Sequence, residues 1–525
     1  QVVVTQYEMH AIEDLGLLKM DFLGLRNLTI IEQTLKLIAS IHDIYLDIST
    51  IPLDDAKTYK LFQRGETTAC FQFESGGMRR YLKELKPTEL EDLIAMVALY
   101  RPGPMELIPS YIRRKHGQEH IQYLHPKMEP ILKNTYGVCV YQEQLMQMTR
   151  DLAGFTMPEA DTLRKAVGKK IKSLLDEQRE KVISGMLRNE IDPRTAHAIW
   201  DLFPPFARYA FNRSHAACYA LIAYQTGWLK AHYPTEFMTA VLAAESTDIE
   251  KIAFFVEEAR AMGIEVLPPD LNESLADFTI VSPMKIRFGL GAVKNVGTNI
   301  VDAIITERMR GGKFPSLTDF AERVRHKDFN KKSLESLIKC GALDTMGERN
   351  RLLKNLEMIL EYNREAQRTR LGGQESLFSF TPAMQEVASL QLAAAQEAGR
   401  RERLQWEREL LGLYVSAHPF QDYAERFKEK NVLALKDLTL DMRNRMVAVG
   451  GLVSGIQKKI TKAGDPMLFV KLEDLTSRTE ILVFPKMLAK NPAVWQEEKV
   501  LYIRGRVSDK DGLPKILCEE AVEII

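Results

Sequence analysis

Val447-Ala448-Val449, Leu468-Phe469-Val470-Lys471-Leu472, Glu480-Ile481-Leu482-Val483-Phe484, Leu501-Tyr502-Ile503-Arg504 and Lys515-Ile516-Leu517-Cys518 follow one another near the end of the chain. Short runs rich in β-branched and aromatic residues, set between glycine and proline turns, read as strands. Five of them so close together predict a small barrel over residues 440–525, with alternate side chains filling its interior.

Upstream of that barrel, most simply an OB-fold, the pattern turns helical. Residues 271–350 read as short helices around glycine turns, and two segments stand out: Gly289-Leu290-Gly291-Ala292-Val293-Lys294-Asn295-Val296-Gly297 and Leu337-Ile338-Lys339-Cys340-Gly341-Ala342-Leu343-Asp344, with its turn at Cys340-Gly341-Ala342. The first has the look of a helix-hairpin-helix, in which glycines bring backbone N–H groups close to a DNA phosphate at a helix N-terminus. An ordinary helical turn accounts for the same glycines, and the second, poorer copy favours the paired device. Residues 350 to about 410 are rich in Arg, Glu, Gln and Ala, which suits long exposed helices flanking a mobile loop near Gly372-Gly373.

Residues from about 50 to 270 are mostly helical, punctuated by Arg101-Pro102-Gly103-Pro104 and Phe203-Pro204-Pro205. Thr156-Met157-Pro158-Glu159 has the form of a capping box at a helix start. The first 30 or so residues read as strands, Val2-Val3-Val4 and then Leu17 to Leu23, followed by a helix from Asn27 to about Ser40. Within them, Lys19-Met20-Asp21-Phe22-Leu23-Gly24-Leu25-Arg26 places one carboxylate among apolar neighbours. A carboxylate so placed needs a cation: either Lys19 or Arg26 in a plain salt bridge, or a metal ion, and Mg²⁺ favours one or two carboxylates plus substrate phosphates.

The chain has 525 residues, 45% hydrophobic and 27% charged, with 71 basic and 71 acidic side chains. That length predicts about three to five domains. No apolar run approaches the roughly 20 residues of a membrane span, so no membrane partner is expected. Five cysteines without C-x-x-C spacing argue against a zinc site or a disulfide framework and fit a reducing cytoplasm. Zero net charge means that any nucleic-acid affinity must come from local clusters of cations. The start at Gln1, without an initiator methionine or signal peptide, looks like part of something longer.

Four segments, Lys19 to Arg26, Ala98-Leu99-Tyr100-Arg101-Pro102-Gly103-Pro104, Tyr136-Gly137-Val138-Cys139-Val140-Tyr141-Gln142-Glu143-Gln144 and Phe211-Asn212-Arg213-Ser214-His215-Ala216-Ala217-Cys218-Tyr219, occur in this order. Together they resemble the C-family of bacterial replicative DNA polymerases, the DNA polymerase III alpha subunits, over the whole chain. The resemblance implies a multidomain α+β protein: the end of a nucleotidyltransferase-like palm (1–40), helical fingers (41–270), a duplex-binding helix-hairpin-helix and clamp-binding region (271–430), and the OB barrel.

It also implies templated addition of deoxynucleotides to a primer 3′ end by two-metal phosphoryl transfer. Asp21 is then the third catalytic carboxylate and a ligand of Mg²⁺, of which two ions are expected. The first two carboxylates belong to an upstream motif absent from this sequence, so the isolated chain is expected to be inactive. Lys19 contacts the incoming triphosphate.

Between 161 and 184 stand seven basic residues against four acidic ones. By itself that reads as a solvated helix face; by the resemblance, Arg164 is a triphosphate clamp and Lys165 its basic neighbour. Tyr209, Arg213 and His215 line the nucleotide pocket, Tyr209 stacking on base or sugar, with Ser214 as a possible helix cap. Gly289, Gly291, Lys294 and Gly297 contact duplex. Arg101 and Gln142-Glu143-Gln144 match family signatures, but neither has an assignable role, and a helix corner and a helix interior describe them equally well.

Gln374-Glu375-Ser376-Leu377-Phe378 resembles the family's sliding-clamp motif, with Gln374, Leu377 and Phe378 as anchors. The barrel presents Lys458, Lys459, Lys462 and Phe469 either to single-stranded template or to a protein. The expected partners are primer-template DNA, deoxynucleoside triphosphates, the sliding clamp and other replicase subunits. A non-catalytic DNA-binding and clamp-tethering module is the alternative, and a structural scaffold a third reading that leaves Asp21 and the basic cluster unexplained.

Overall fold

The computed structural model describes residues 3–20, 24–169, 172–206, 210–371, 390–428, 432–461, 463–508 and 514–524. Asp21, Tyr209, Gln374, Leu377, Phe378 and Lys462 therefore lie outside the described residues.

The strands expected before residue 30 are not formed among the described residues. A short helix, Met9–Asp14, comes first, and residues 17–20 follow without regular structure. Leu17, Leu18 and Met20 are 62%, 83% and 65% exposed, and among the described residues this apolar run has no neighbouring strand to pair with. The helix expected from Asn27 is present as Arg26–His42. Ile30, Ile31, Thr34 and Ile38 recur at helical spacing on its buried face, which packs on helix Pro234–Ala244.

The spine of the helical body is helix Arg213–His232, packed on Ala56–Arg64 and Leu90–Leu99. Gly227 permits that approach, because a Cβ there would lie 2.7 Å from the Phe62 ring. Lys230 is buried in the same helix with all three donors used: the Glu66 and Thr68 carbonyls at 2.8 and 2.9 Å and the Glu258 carboxylate at 2.6 Å. A buried ammonium is tolerated only when satisfied in this way.

A second core joins helices Gln142–Ala153, Met157–Lys169, Lys172–Arg188 and Pro193–Phe206 through Leu145, Met148, Leu163, Met186 and Phe203. The expected capping box is formed on its exposed edge. The Thr156 N–H and hydroxyl donate to the Glu159 carboxylate at 2.8 and 2.7 Å.

Beyond residue 261 lies a three-stranded sheet that the sequence pattern did not suggest. Its strands β1 (Glu265–Leu267), β2 (Thr279–Ser282) and β3 (Lys285–Arg287) are ordered β1-β3-β2, β1 parallel and β2 antiparallel to β3. Helices Thr298–Gly311, Leu317–Arg323, Lys331–Lys339, Arg349–Lys354 and Leu356–Leu371 follow. Helix Arg400–Leu411 is less exposed than its charged composition suggests: Leu404, Glu407, Leu410 and Leu411 are buried. The Glu407 carboxylate accepts from Arg349 and from the N–H groups of Val415 and Ser416.

The expected barrel is closed: β4 (Met446–Ile460), β5 (Pro466–Glu473), β6 (Arg478–Val483), β8 (Lys515–Glu523) and β7 (Val500–Ser508), in that order around the ring. Only β6 and β8 run parallel. Val453, Val470, Leu472, Ile481, Leu501, Ile503 and Ile516 alternate into its core. Helix Pro485–Lys490 is inserted between the third and fourth strands, as in an OB-fold. Arg478 ties the barrel to the helical body, pairing with Glu257 at 3.2 Å and lying 5.3 Å from the Phe254 ring centre.

Candidate functional site

The segments that stood apart in the sequence meet at the start of helix Arg213–His232. Tyr141 and Phe211 form a parallel bridge, with the Phe211 N–H donating to the Val140 carbonyl at 3.1 Å and the Gln142 N–H to the Phe211 carbonyl at 2.9 Å. This short seam fixes the N-terminus of helix Gln142–Ala153 beside that of Arg213–His232. The helix cap is Asn212, whose side chain accepts from the His215 N–H at 2.8 Å, and not Ser214, which sits inside the first turn.

Three arginines gather around the seam. Arg101 leaves its proline-glycine turn to lie 4.2 Å over the Phe211 ring centre, with its Nε donating to the Ala98 carbonyl at 2.8 Å. Desolvation lowers its pKa from the ordinary arginine value. Arg164 reaches in from helix Met157–Lys169 and donates to the Gln142 side chain at 3.3 Å. Arg213 pairs with Glu91 at 2.6 Å, while its own backbone N–H donates to both oxygens of Glu143 at 3.2 and 3.0 Å.

Asp161 holds Arg164 and Lys165 together, one oxygen to each at 2.8 Å. Hydrogen bonds from Lys165 and Arg164 keep its carboxyl below the usual aspartate pKa. His215 is exposed, its ring 5.3 Å from Phe211 and 4.2 Å from Tyr219, which in turn contacts Phe71. The result is a partly exposed rim of cations backed by an aromatic ladder, suited to holding phosphates on one side and a flat base or sugar on the other.

Of the residues the sequence singled out, Arg164, Lys165, Arg213 and His215 are therefore brought together. Lys19 lies on the exposed stretch before residue 21, not on a strand. The reading also left unplaced Arg101, Gln142 and Glu143, and missed Glu91 and Asp161, which hold the cations. Gln144 turns out to be a helix-end residue, its side-chain oxygen accepting from the Val140 and Tyr141 N–H groups at 2.8 and 3.0 Å. Among the described residues no group of three His, Cys, Asp or Glu side chains is placed to hold a metal ion.

The glycine turn divides into two parts. Gly289 and Gly291 serve internal packing: a Cβ at Gly289 would lie 2.5 Å from the Ala276 carbonyl, and the Gly291 N–H already donates to that oxygen at 2.9 Å. Gly297, by contrast, opens helix Thr298–Gly311, has free space where a Cβ would stand, and follows Asn295 at φ 68°. Lys294 is exposed beside it. The Cys340-Gly341-Ala342 turn, expected as a second copy, is buried where the first is partly open. Its Gly341 and Ala342 N–H groups donate to the Ile338 and Leu337 carbonyls, and Cys340 and Ala342 are fully buried, so the turn ends helix Lys331–Lys339 and offers no donor to a ligand.

On the barrel, Lys459 lies 4.5 Å over the Phe469 ring, and Gln457 is the register partner of Phe469 on the neighbouring strand. These side chains point outward, opposite to Val470 and Leu472. No helix among the described residues is long and apolar enough to cross a membrane.

A helical body with a cationic rim, followed by a helix-hairpin-helix segment and an OB barrel, is the build of a protein that handles nucleic acid. Residues 27–190 match the bacterial DNA polymerase III alpha subunit finger domain, 263–353 a helix-hairpin-helix motif, and 447–524 an OB-fold nucleic acid binding domain. The chain is 45% identical over 490 residues to the DNA polymerase III subunit alpha of Thermus aquaticus, covering 92% of this chain and 40% of that protein. With the subunit of the same name from Escherichia coli K12 it is 39% identical over 537 residues, 99% of this chain and 46% of the relative. The chain belongs to the DNA polymerase III alpha subunit family and spans somewhat less than half the length of the relatives it matches.

Proposed function

We propose that this chain is the nucleotide-gripping and DNA-holding portion of a cytoplasmic bacterial replicative DNA polymerase, which adds deoxynucleotides to a primer 3′ end against a template. The observation that carries this reading is the convergence of Arg101, Arg164 and Arg213 on the Phe211–Gln142 seam. Arg164, Lys165 and Arg213 hold the triphosphate, and His215, with Tyr209, orients the sugar and base. Phosphoryl transfer depends on such positioning and on charge stabilisation more than on covalent work by the protein.

Divalent-metal chemistry, with Asp21 and Mg²⁺, belongs to this reading, and Arg164, Lys165 and Arg213 supply the grip on the nucleotide. Gly297 and Lys294 hold duplex backbone without reading sequence, since a helix N-terminus binds phosphate through its N–H groups. Lys459 and Phe469 present a stacking surface to single-stranded template. Gln374, Leu377 and Phe378 anchor the sliding clamp, and the other replicase subunits assemble on the full protein.

Photocrosslinking tests the nucleotide assignment. In the full-length subunit with primer-template, an azido-dATP analogue is expected to label peptides spanning 142–169 or 210–219. Labelling confined to the barrel or to residues 263–353 would contradict it and favour the non-catalytic tethering role.

A further inference from the structure

The three features that an anion would use at this site are already taken by carboxylates. Asp161 bridges Arg164 and Lys165 with one oxygen each, Glu91 holds the Arg213 guanidinium, and Glu143 occupies the N-terminus of helix Arg213–His232. Two of these contacts are long-range: Glu91 lies 122 residues from Arg213 in sequence, and Glu143 lies 70. The Asp161 pairs run along its own helix at i,i+3 and i,i+4, whereas Glu91 and Glu143 reach Arg213 from two other helices.

We propose that Glu91 and Asp161 are internal competitors that a polyphosphate must displace, so that the site selects ligands by charge number. The inference rests on the nucleotide reading above. Asp161 and Glu91 side chains are 33% and 31% exposed, and ion pairs at such positions are weak enough to exchange. Between ligands the cations stay oriented and paired, and do not present bare charge to every passing anion. A triphosphate supplies enough oxygens to replace both carboxylates at once; a monophosphate replaces one and leaves the other in competition. Apparent affinity is then reduced by the fraction of time the carboxylates hold the seats. Glu143 differs, because it binds backbone and acts as a positioning residue for the helix start.

The test uses the 525-residue chain, with inorganic tripolyphosphate and inorganic monophosphate as probes in calorimetric titrations. Glu91→Gln and Asp161→Asn each keep the side-chain shape and are expected to tighten tripolyphosphate binding by roughly two- to fivefold, the range that exposed ion pairs allow. The double variant should also narrow the preference for tripolyphosphate over monophosphate. Structural damage would weaken binding, so tightening is a readout that a purely structural role cannot produce. Unchanged or weaker binding in both variants, with binding lost in Arg164→Ala and Arg213→Ala, would overturn the exchange and leave the nucleotide reading standing. No measurable tripolyphosphate binding by the parent chain, or binding indifferent to the arginine variants, would overturn both.

Discussion

The Arg101 guanidinium lies 4.2 Å over the centre of the Phe211 ring, joining two segments separated by more than a hundred residues. The contact fixes both partners, since the Arg101 Nε is also held by the Ala98 carbonyl and the Phe211 backbone by Val140 and Gln142. A planar cation on a ring face does what an ammonium in the same place cannot, because stacking needs the flat guanidinium.

Arg101→Lys is accordingly expected to cost about 0.5–2 kcal/mol at the nucleotide site through lost stacking. The measurement is kcat/KM for deoxynucleotide incorporation by the full-length subunit, with primer-template affinity as the control. An unchanged kcat/KM would show the stack to be incidental.

Gly227→Ala should destabilise the helical body without touching the site. The added methyl would stand 2.7 Å from the Phe62 ring, which is fully buried and cannot move aside. Overpacking of this kind costs about 1–3 kcal/mol. A lowered thermal midpoint in calorimetry is the expected result; a midpoint at the parent value would mean that the two helices relax apart freely.

The two halves of the glycine turn should respond differently. Gly289→Ala meets the Ala276 and Asp277 backbone and is expected to lower stability, whereas Gly297→Ala meets nothing and should lower stability only by the poorer N-cap, while weakening duplex binding. Lys294→Ala should reduce the slope of log affinity against log salt by about one phosphate contact. Fluorescence titrations of duplex DNA at several salt concentrations check both expectations.

Acid should weaken the fold partly through Glu119. Its carboxylate is clasped by the Ser110 hydroxyl and by Arg114 and Arg113, which hold its pKa down to about 2 from the ordinary value of 4.5. A carboxyl with a depressed folded-state pKa adds stability that is complete above its unfolded value and disappears as pH falls toward the folded one. Urea midpoints for the parent chain should therefore fall between pH 4.5 and 2 more than those of Glu119→Gln. Parallel profiles would remove Glu119 from the acid response.

What the sequence disclosed follows from how local each signal was. The barrel strands, the helix after Arg26 and the Thr156–Glu159 cap rest on alternation, helical spacing and a three-residue hydrogen-bond loop, all of which a single segment displays. The run Leu17–Met20 has the composition of a strand but no partner strand among the described residues, and pairing is not written in one segment. Strands of three or four residues, as in β1 to β3, are too short to show a period. Asn212 could have been preferred over Ser214 as the cap, because it stands directly before the helix and three residues ahead of His215. Glu91 carried no signal of its own, since an acidic residue on a helix reads as solvated until its distant partner is known; Glu143 stood in a motif without a role, and Asp161 pairs with its i+3 and i+4 neighbours Arg164 and Lys165, a spacing that the sequence displays. Glycines mark turns in either case; only the surrounding backbone distinguishes Gly297, which opens a helix toward solvent, from Gly341, which closes one inside the core.

The central claim is that Arg164 and Arg213 grip the same triphosphate. A double-mutant cycle on the full-length subunit, reading KM for the incoming deoxynucleotide and Kd for primer-template in parallel, measures it directly. The account predicts that Arg164→Ala and Arg213→Ala each raise KM about tenfold or more, that their effects are not additive, and that DNA affinity changes little. Additive effects with unchanged KM in either single variant, or an equal loss of DNA binding, would contradict it.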